Sequence, residues 1–178
     1  KEIGSIGGKT KMSKVNQGSG SDRIAEAVAD MDADMVLNVQ GDEPFVNKLM
    51  LKSLLDVFTE DHEKKIRVAS PVKKITYRTH IANPNIVKVA VDKNMNSLLF
   101  SRSVIPFQRE ENISIAYYEH VGVYAFRKEA LLQFTKWEMT PLEIAEKIEC
   151  LRYVENGVQL RMVETSDEII KIDVPEDL

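Results

Sequence analysis

A single cysteine, Cys150, excludes an intramolecular disulfide and cannot by itself build a cysteine zinc site. Long apolar runs are missing as well. The stretch 87–91 is interrupted by Lys88, and nothing approaches the ~20 apolar residues that a bilayer-crossing helix needs, so no membrane partner is expected. There is no basic stripe. Net charge is −4 with the lysines scattered, which argues against a nucleic-acid partner, because phosphates require a concentrated positive face. The first residues carry no signal-peptide pattern, and internal repeats and low-complexity tracts are absent. Together these features predict a cytoplasmic protein. The chain opens on Lys1 rather than methionine and stops at Leu178. Both ends are expected to be cuts.

What is present is a chain of 178 residues, 43% hydrophobic, enough to bury one core. Residues 1–20, rich in Gly, Ser, Lys and Asn, predict loop with one short strand near Lys11-Met12. Ser21 or Asp22 is expected to cap a helix with Ile24, Ala27, Val28 and Met31 on one face. Residues 34–40 predict a buried strand, 48–59 a helix, 66–72 a second strand. Residues 86–92 and 97–101 predict a hairpin. A strand over 119–127 is followed by a helix over 128–136. Thr140-Pro141-Leu142-Glu143 reads as a capping box, opening a helix to about Val154 with Leu142, Ala145, Ile148 and Leu151 inward. Strands over 159–164 and 169–172 end the pattern. Alternating β and α elements imply an α/β sheet with an inserted antiparallel hairpin, and one incomplete domain over 1–178.

Asp42 follows an apolar strand inside a Gly-Asp-Glu-Pro turn, and Asp173 follows Ile169-Ile170-Lys171-Ile172. Ligands of open α/β sheets bind beyond the carboxyl ends of strands. Two strand-end carboxylates suit Mg²⁺, which favours one or two carboxylates plus waters and phosphate oxygens. Equally, each aspartate suits a turn or a helix cap. Glu143, Glu146 and Glu149 recur every three residues, as on a solvated acidic helix face. On residue type alone Arg102 reads as a surface ion-pair partner and His120 as a satisfied structural histidine.

Seven segments occur together in one order. They are Ser19-Gly20-Ser21-Asp22-Arg23-Ile24-Ala25-Glu26-Ala27, Asn38-Val39-Gln40-Gly41-Asp42-Glu43-Pro44, Asn83-Pro84-Asn85-Ile86-Val87-Lys88-Val89, Phe100-Ser101-Arg102-Ser103-Val104-Ile105-Pro106, His120-Val121-Gly122-Val123-Tyr124-Ala125-Phe126-Arg127, Pro141-Leu142-Glu143 and Ile172-Asp173-Val174-Pro175-Glu176-Asp177-Leu178. In this set the chain resembles the CMP-Kdo synthetases. The resemblance implies a nucleotide-diphospho-sugar-transferase-like (Rossmann-like) three-layer fold. It also implies Mg²⁺-dependent transfer of CMP from CTP to the sugar acid Kdo for lipopolysaccharide synthesis. By the same resemblance Asp42 and Asp173 hold the metal, Arg102 pairs with the sugar carboxylate, and Gln40, His120, Tyr124 and Glu149 line the sugar pocket. Ser19, Gly20, Ser21 and Arg23 lie near cytosine and ribose, and the inserted region forms a homodimer.

This sequence departs from the family pattern in places. Ser21 stands for threonine, Gln17 for histidine, Glu119 for lysine, Cys150 for glutamine and Val174 for threonine. A thiol cannot supply an amide's hydrogen bonds, so the sugar contacts are affected most. Two alternatives arise: a nucleotidyltransferase for another acidic or amino-modified sugar, or a noncatalytic assembly or binding module. The family's Pro-Ala-Arg…Gly-Lys triphosphate loop has no counterpart here. The isolated chain is therefore expected to be inactive and to associate, in a dimer rearranged by the lost strands.

Overall fold

Period-two runs of branched and aromatic residues set the strands, and amphipathic runs set the helices between them. The computed structural model describes residues 2–13, 19–41, 46–110 and 112–166. In chain order these hold α1 (Glu2–Ser5), α2 (Gly20–Val28), β1 (Met35–Val39), α3 (Lys48–Glu60), β2 (Val68–Lys74), α4 (Arg78–Ala82) and β3 (Lys88–Val91). Next come β4 (Ser97–Ser101), β5 (Tyr118–His120), β6 (Val123–Arg127), α5 (Lys128–Phe134), α6 (Pro141–Glu146), α7 (Leu151–Glu155) and β7 (Arg161–Thr165). The class is α/β, as expected. The sheet is mostly antiparallel, in the order β1-β6-β2-β5-β3-β4, with β7 parallel to β2.

Alternation along β6 sorts the core into two sides. Tyr124 and Phe126 face a cluster with Leu131, Phe134, Leu151 and Tyr153, whereas Val123 and Ala125 face Leu54 and Phe58 of α3. Burying each such leucine or phenylalanine stabilises the fold by about 1.5–3 kcal/mol. The predicted β3–β4 hairpin forms, with Val89 opposite Phe100.

Several expectations are corrected. Lys11-Met12 is not a strand; Lys11 Nζ instead donates to the Glu26 and Ala27 carbonyls at the end of α2, at 3.1 and 2.9 Å. The stretches of α1 and α4 were not anticipated. Ser19, rather than Ser21 or Asp22, caps α2: its hydroxyl oxygen accepts from the Asp22 N–H at 3.2 Å. That helix ends at Val28, leaving Met31 half exposed. The strand over 119–127 is two strands. Its register against β2 slips by two residues opposite Ser70 and Pro71, where proline has no N–H to offer the ladder. The helix begun at Thr140 breaks at Lys147, whose φ of 55° and ψ of 45° are left-handed. Leu142 and Ala145 are consequently exposed, while Ile148 and Leu151 are buried. The expected strand over 169–172 lies outside the described residues.

Candidate functional site

The break between α6 and α7 organises the site. In a continuous helix the Glu146 carbonyl would accept the N–H of residue 150. Here it accepts from Arg102 Nε at 2.8 Å. The three acidic residues expected on a solvated face all find partners. Glu143 is buried and forms an ion pair with Arg152, Nε to Oε2 at 2.8 Å, and also accepts from the Thr140 N–H at 3.2 Å. Glu146 accepts from the Ser101 hydroxyl at 2.6 Å and from the Arg102 N–H at 3.0 Å. Those two hydrogen bonds, with Arg102 close by, hold its carboxyl below the ordinary range despite partial burial. Glu149 accepts from the Ser21 N–H at 3.2 Å, across 128 residues of chain, at the N-terminus of α2.

Cys150, next along, is buried in the same core cluster as Tyr124. Burial pushes both groups up, the phenol well above its ordinary range, with Glu149 adding to each. Both therefore stay protonated near neutral pH. Tyr124 lies 5.4 Å from the His120 ring, which meets Phe100 edge-on at 5.0 Å. His120 Nε2 sits 2.9 Å from the Ser70 hydroxyl oxygen. The same hydroxyl lies 3.1 Å from the Val121 carbonyl and 2.8 Å from that of Val123. A hydroxyl has one hydrogen, and the two carbonyls claim it. Ser70 therefore accepts from His120, and the proton sits on Nε2.

The structure thus brings Ser19, Gly20, Ser21, Glu149, Tyr124 and His120 into one run of contacts, with Arg102 joined to it through Glu146. His120 and Tyr124 are each 6% exposed. Gln40 is half-buried where β1 ends, and Arg23 is exposed on α2. Asp42 and Asp173 lie outside the described residues. Among the described residues no group of three or more His, Cys, Asp or Glu side chains is placed to hold a metal. No helix there is long and apolar enough to cross a membrane. A cavity of about 520 Å³, lined by Asp34, Met35, Phe58, Lys64 and Arg127 among others, lies at the far end of β1 from Gln40 and contains none of these residues.

Lys88, Glu146 and Ser70 were not anticipated as site residues. The signal for Lys88 is present in the sequence: a lysine inside an otherwise apolar strand.

A sheet flanked by helices, with a polar corner built where strands meet a broken helix, is the architecture of a nucleotidyltransferase. Residues 2–168 match the family model described as Cytidylyltransferase. The chain belongs to the 3-deoxy-manno-octulosonate cytidylyltransferase family. It is 53% identical to a protein of that name from Flavobacterium johnsoniae, over 99% of this chain and 72% of that one. Identity to the Christiangramia forsetii relative is 49%, over 99% and 71%. A solved structure of CMP:2-keto-3-deoxy-manno-octonic acid synthetase complexed with CTP superposes with a TM-score of 0.90 at 32% identity, covering 98% of this chain and 70% of that one. At 13% identity and a TM-score of 0.57, 4-diphosphocytidyl-2C-methyl-D-erythritol synthase from Anaerococcus prevotii shares the fold alone.

Proposed function

We propose that this protein transfers CMP from CTP to the anomeric hydroxyl of Kdo, releasing pyrophosphate, in lipopolysaccharide synthesis. One observation carries the reading. The residues matched to the nucleotide and sugar sides meet directly, through the Ser21 N–H and the Glu149 carboxylate.

In this reading Arg102 pairs with the sugar carboxylate, for which a guanidinium fork is the best-fitting partner. Glu149 and Gln40 take sugar hydroxyls. His120, with its Nε2 on Ser70, and Tyr124, packed against the His120 ring, give the pocket a fixed floor. The N-terminal turn of α2, Ser19 to Arg23, takes the cytosine and ribose. Holding hydroxyl and α-phosphate in line converts a bimolecular step into an effectively unimolecular one. Asp42 follows the described end of β1, where Gly41 has open space around it, and with Asp173 it supplies the donor set magnesium prefers. When bound, Mg²⁺ would neutralise phosphate charge and lower the pKa of the hydroxyl.

A homodimer and a cytoplasmic location belong to the same proposal. Leu98, Val104, Phe107 and Ile113, on β4 and the chain after it, are exposed apolar residues that suit a subunit contact. Cys150 and Glu119 favour one second reading, another acidic or amino-modified sugar.

The test is turnover by the intact protein with CTP and a panel of Kdo, its carboxamide and amino-substituted analogues. CMP-Kdo and pyrophosphate are expected, with activity lost to a chelator and restored by Mg²⁺. Asp42→Asn and Asp173→Asn should each lower kcat by about 10²–10³, the usual loss for a charge-stabilising group. Turnover confined to an amino-substituted analogue would select the second reading. Activity indifferent to both chelator and the two substitutions would remove the metal.

A further inference from the structure

Lys88 has no exposed surface at all. A buried ammonium is costly unless every proton finds an acceptor. Its three protons go to three backbone carbonyls, of Asn83 at 2.8 Å, Ile86 at 2.7 Å, and Arg102. The choice of carbonyls is informative. Asn83 and Ile86 bracket the Pro84-Asn85 pair, and the Pro84 carbonyl accepts from Arg102 Nη1 at 3.1 Å. The third belongs to Arg102 itself. One ammonium therefore ties the ledge on which the guanidinium rests to the backbone from which that guanidinium springs. From the other side, Glu146 holds the Arg102 N–H and, through its carbonyl, Nε.

Electrostatics fits this arrangement. Burial, and then the neighbouring Arg102, pull the Lys88 ammonium below its ordinary range, while Glu146 and Glu119 oppose them. Glu119 stands directly opposite Lys88 in the β3–β5 ladder. Two cations at one corner are thus matched by two carboxylates. If Lys88 served the fold alone, nothing would require its three acceptors to converge on a single side chain's supports.

We propose that Lys88 is a positioning residue, which fixes the Arg102 guanidinium for recognition of the substrate's carboxylate without touching substrate. The proposal rests on the reading of Arg102 as the carboxylate partner, and the experiment separates the two. In the intact protein, Lys88→Met, Arg102→Ala and the double variant are compared for KM of the sugar acid, KM of CTP and kcat. Lys88→Met is expected to raise KM for the sugar acid about tenfold or more, leave KM for CTP within twofold, and narrow the preference for the acid over its carboxamide. In the Arg102→Ala background it should add no further loss, because coupled residues are non-additive.

A folded Lys88→Met variant with unchanged sugar-acid KM overturns the proposal, as does an additive double variant. Should Arg102→Ala itself leave sugar-acid KM unchanged, the reading of Arg102 fails instead, and this inference falls with it. Should Lys88→Met not fold, Lys88→Arg takes its place. A planar guanidinium cannot reproduce three converging donors, so at least a threefold rise in sugar-acid KM is expected, and a wild-type value would reduce Lys88 to holding the fold.

Discussion

Asp61 closes α3 and then binds the loop that leads into β2. Its carboxylate accepts from the Lys65 N–H at 3.0 Å, the Ile66 N–H at 2.7 Å and Arg127 Nη2 at 3.0 Å. Burial alone would raise its pKa. The hydrogen bonds from Ile66, Arg127 and Lys65 outweigh that and hold it below the ordinary 3.8. A carboxyl depressed by folding contributes stability that is full above its unfolded value and is lost as pH falls through the folded one. Urea midpoints of wild type and Asp61→Asn should therefore differ by a constant amount from pH 7 to about 5, and converge below pH 4. A gap that persists unchanged at pH 3 would show that Asp61 acts through packing rather than charge. At this scale the sequence was readable in part. Asp61 sits in a polar stretch, and nothing local marks it, because its partner Arg127 lies 66 residues away. Arg102 and Glu149 were found through a resemblance, and their partners only in space.

At the scale of elements, the joint between α6 and α7 is the most consequential departure. The capping grammar at Thr140 was legible, and the helix starts there. The stop was not legible, since Lys147 is an ordinary helix former that takes the left-handed region. The contacts that enforce it come from elsewhere in the chain: Arg102 on the Glu146 carbonyl and Ser21 on the Glu149 carboxylate. A non-glycine residue in that region costs roughly 1 kcal/mol or more. Lys147→Gly should relieve that strain and raise unfolding free energy by about 0.5–1 kcal/mol, net of the added entropy of the unfolded chain. Chemical denaturation measures it, and a loss of stability would mean that the lysine side chain contributes more than the strain. The broken strand β5–β6 teaches a similar lesson. The run 119–127 reads as one strand, and the register slip falls opposite Pro71 on the neighbouring strand, which is visible only once the pairing is known.

For the whole molecule, Leu98, Leu99, Val104, Phe107 and Ile113 form, among the described residues, a run of exposed apolar side chains on β4 and the chain beyond it. Phe107 is 83% exposed within that run, and a contiguous apolar patch marks an interaction surface. The proposed dimer predicts that wild type scatters light as a dimer at micromolar concentration and that Phe107→Asp scatters as a monomer, with its circular dichroism unchanged; a monomeric wild type would remove the dimer. A dimer that survives the substitution would move the interface elsewhere. The contact between the Ser21 N–H and Glu149 has a different kind of consequence. In the proposed reading it makes the sugar side and the nucleotide side mechanically one part, so they are not interchangeable modules. Grafting residues 146–150 from a relative with another sugar preference would reset the start of α2 at the same stroke. On that reading, selection or design that retunes the enzyme for a new sugar retunes its grip on the nucleotide as well.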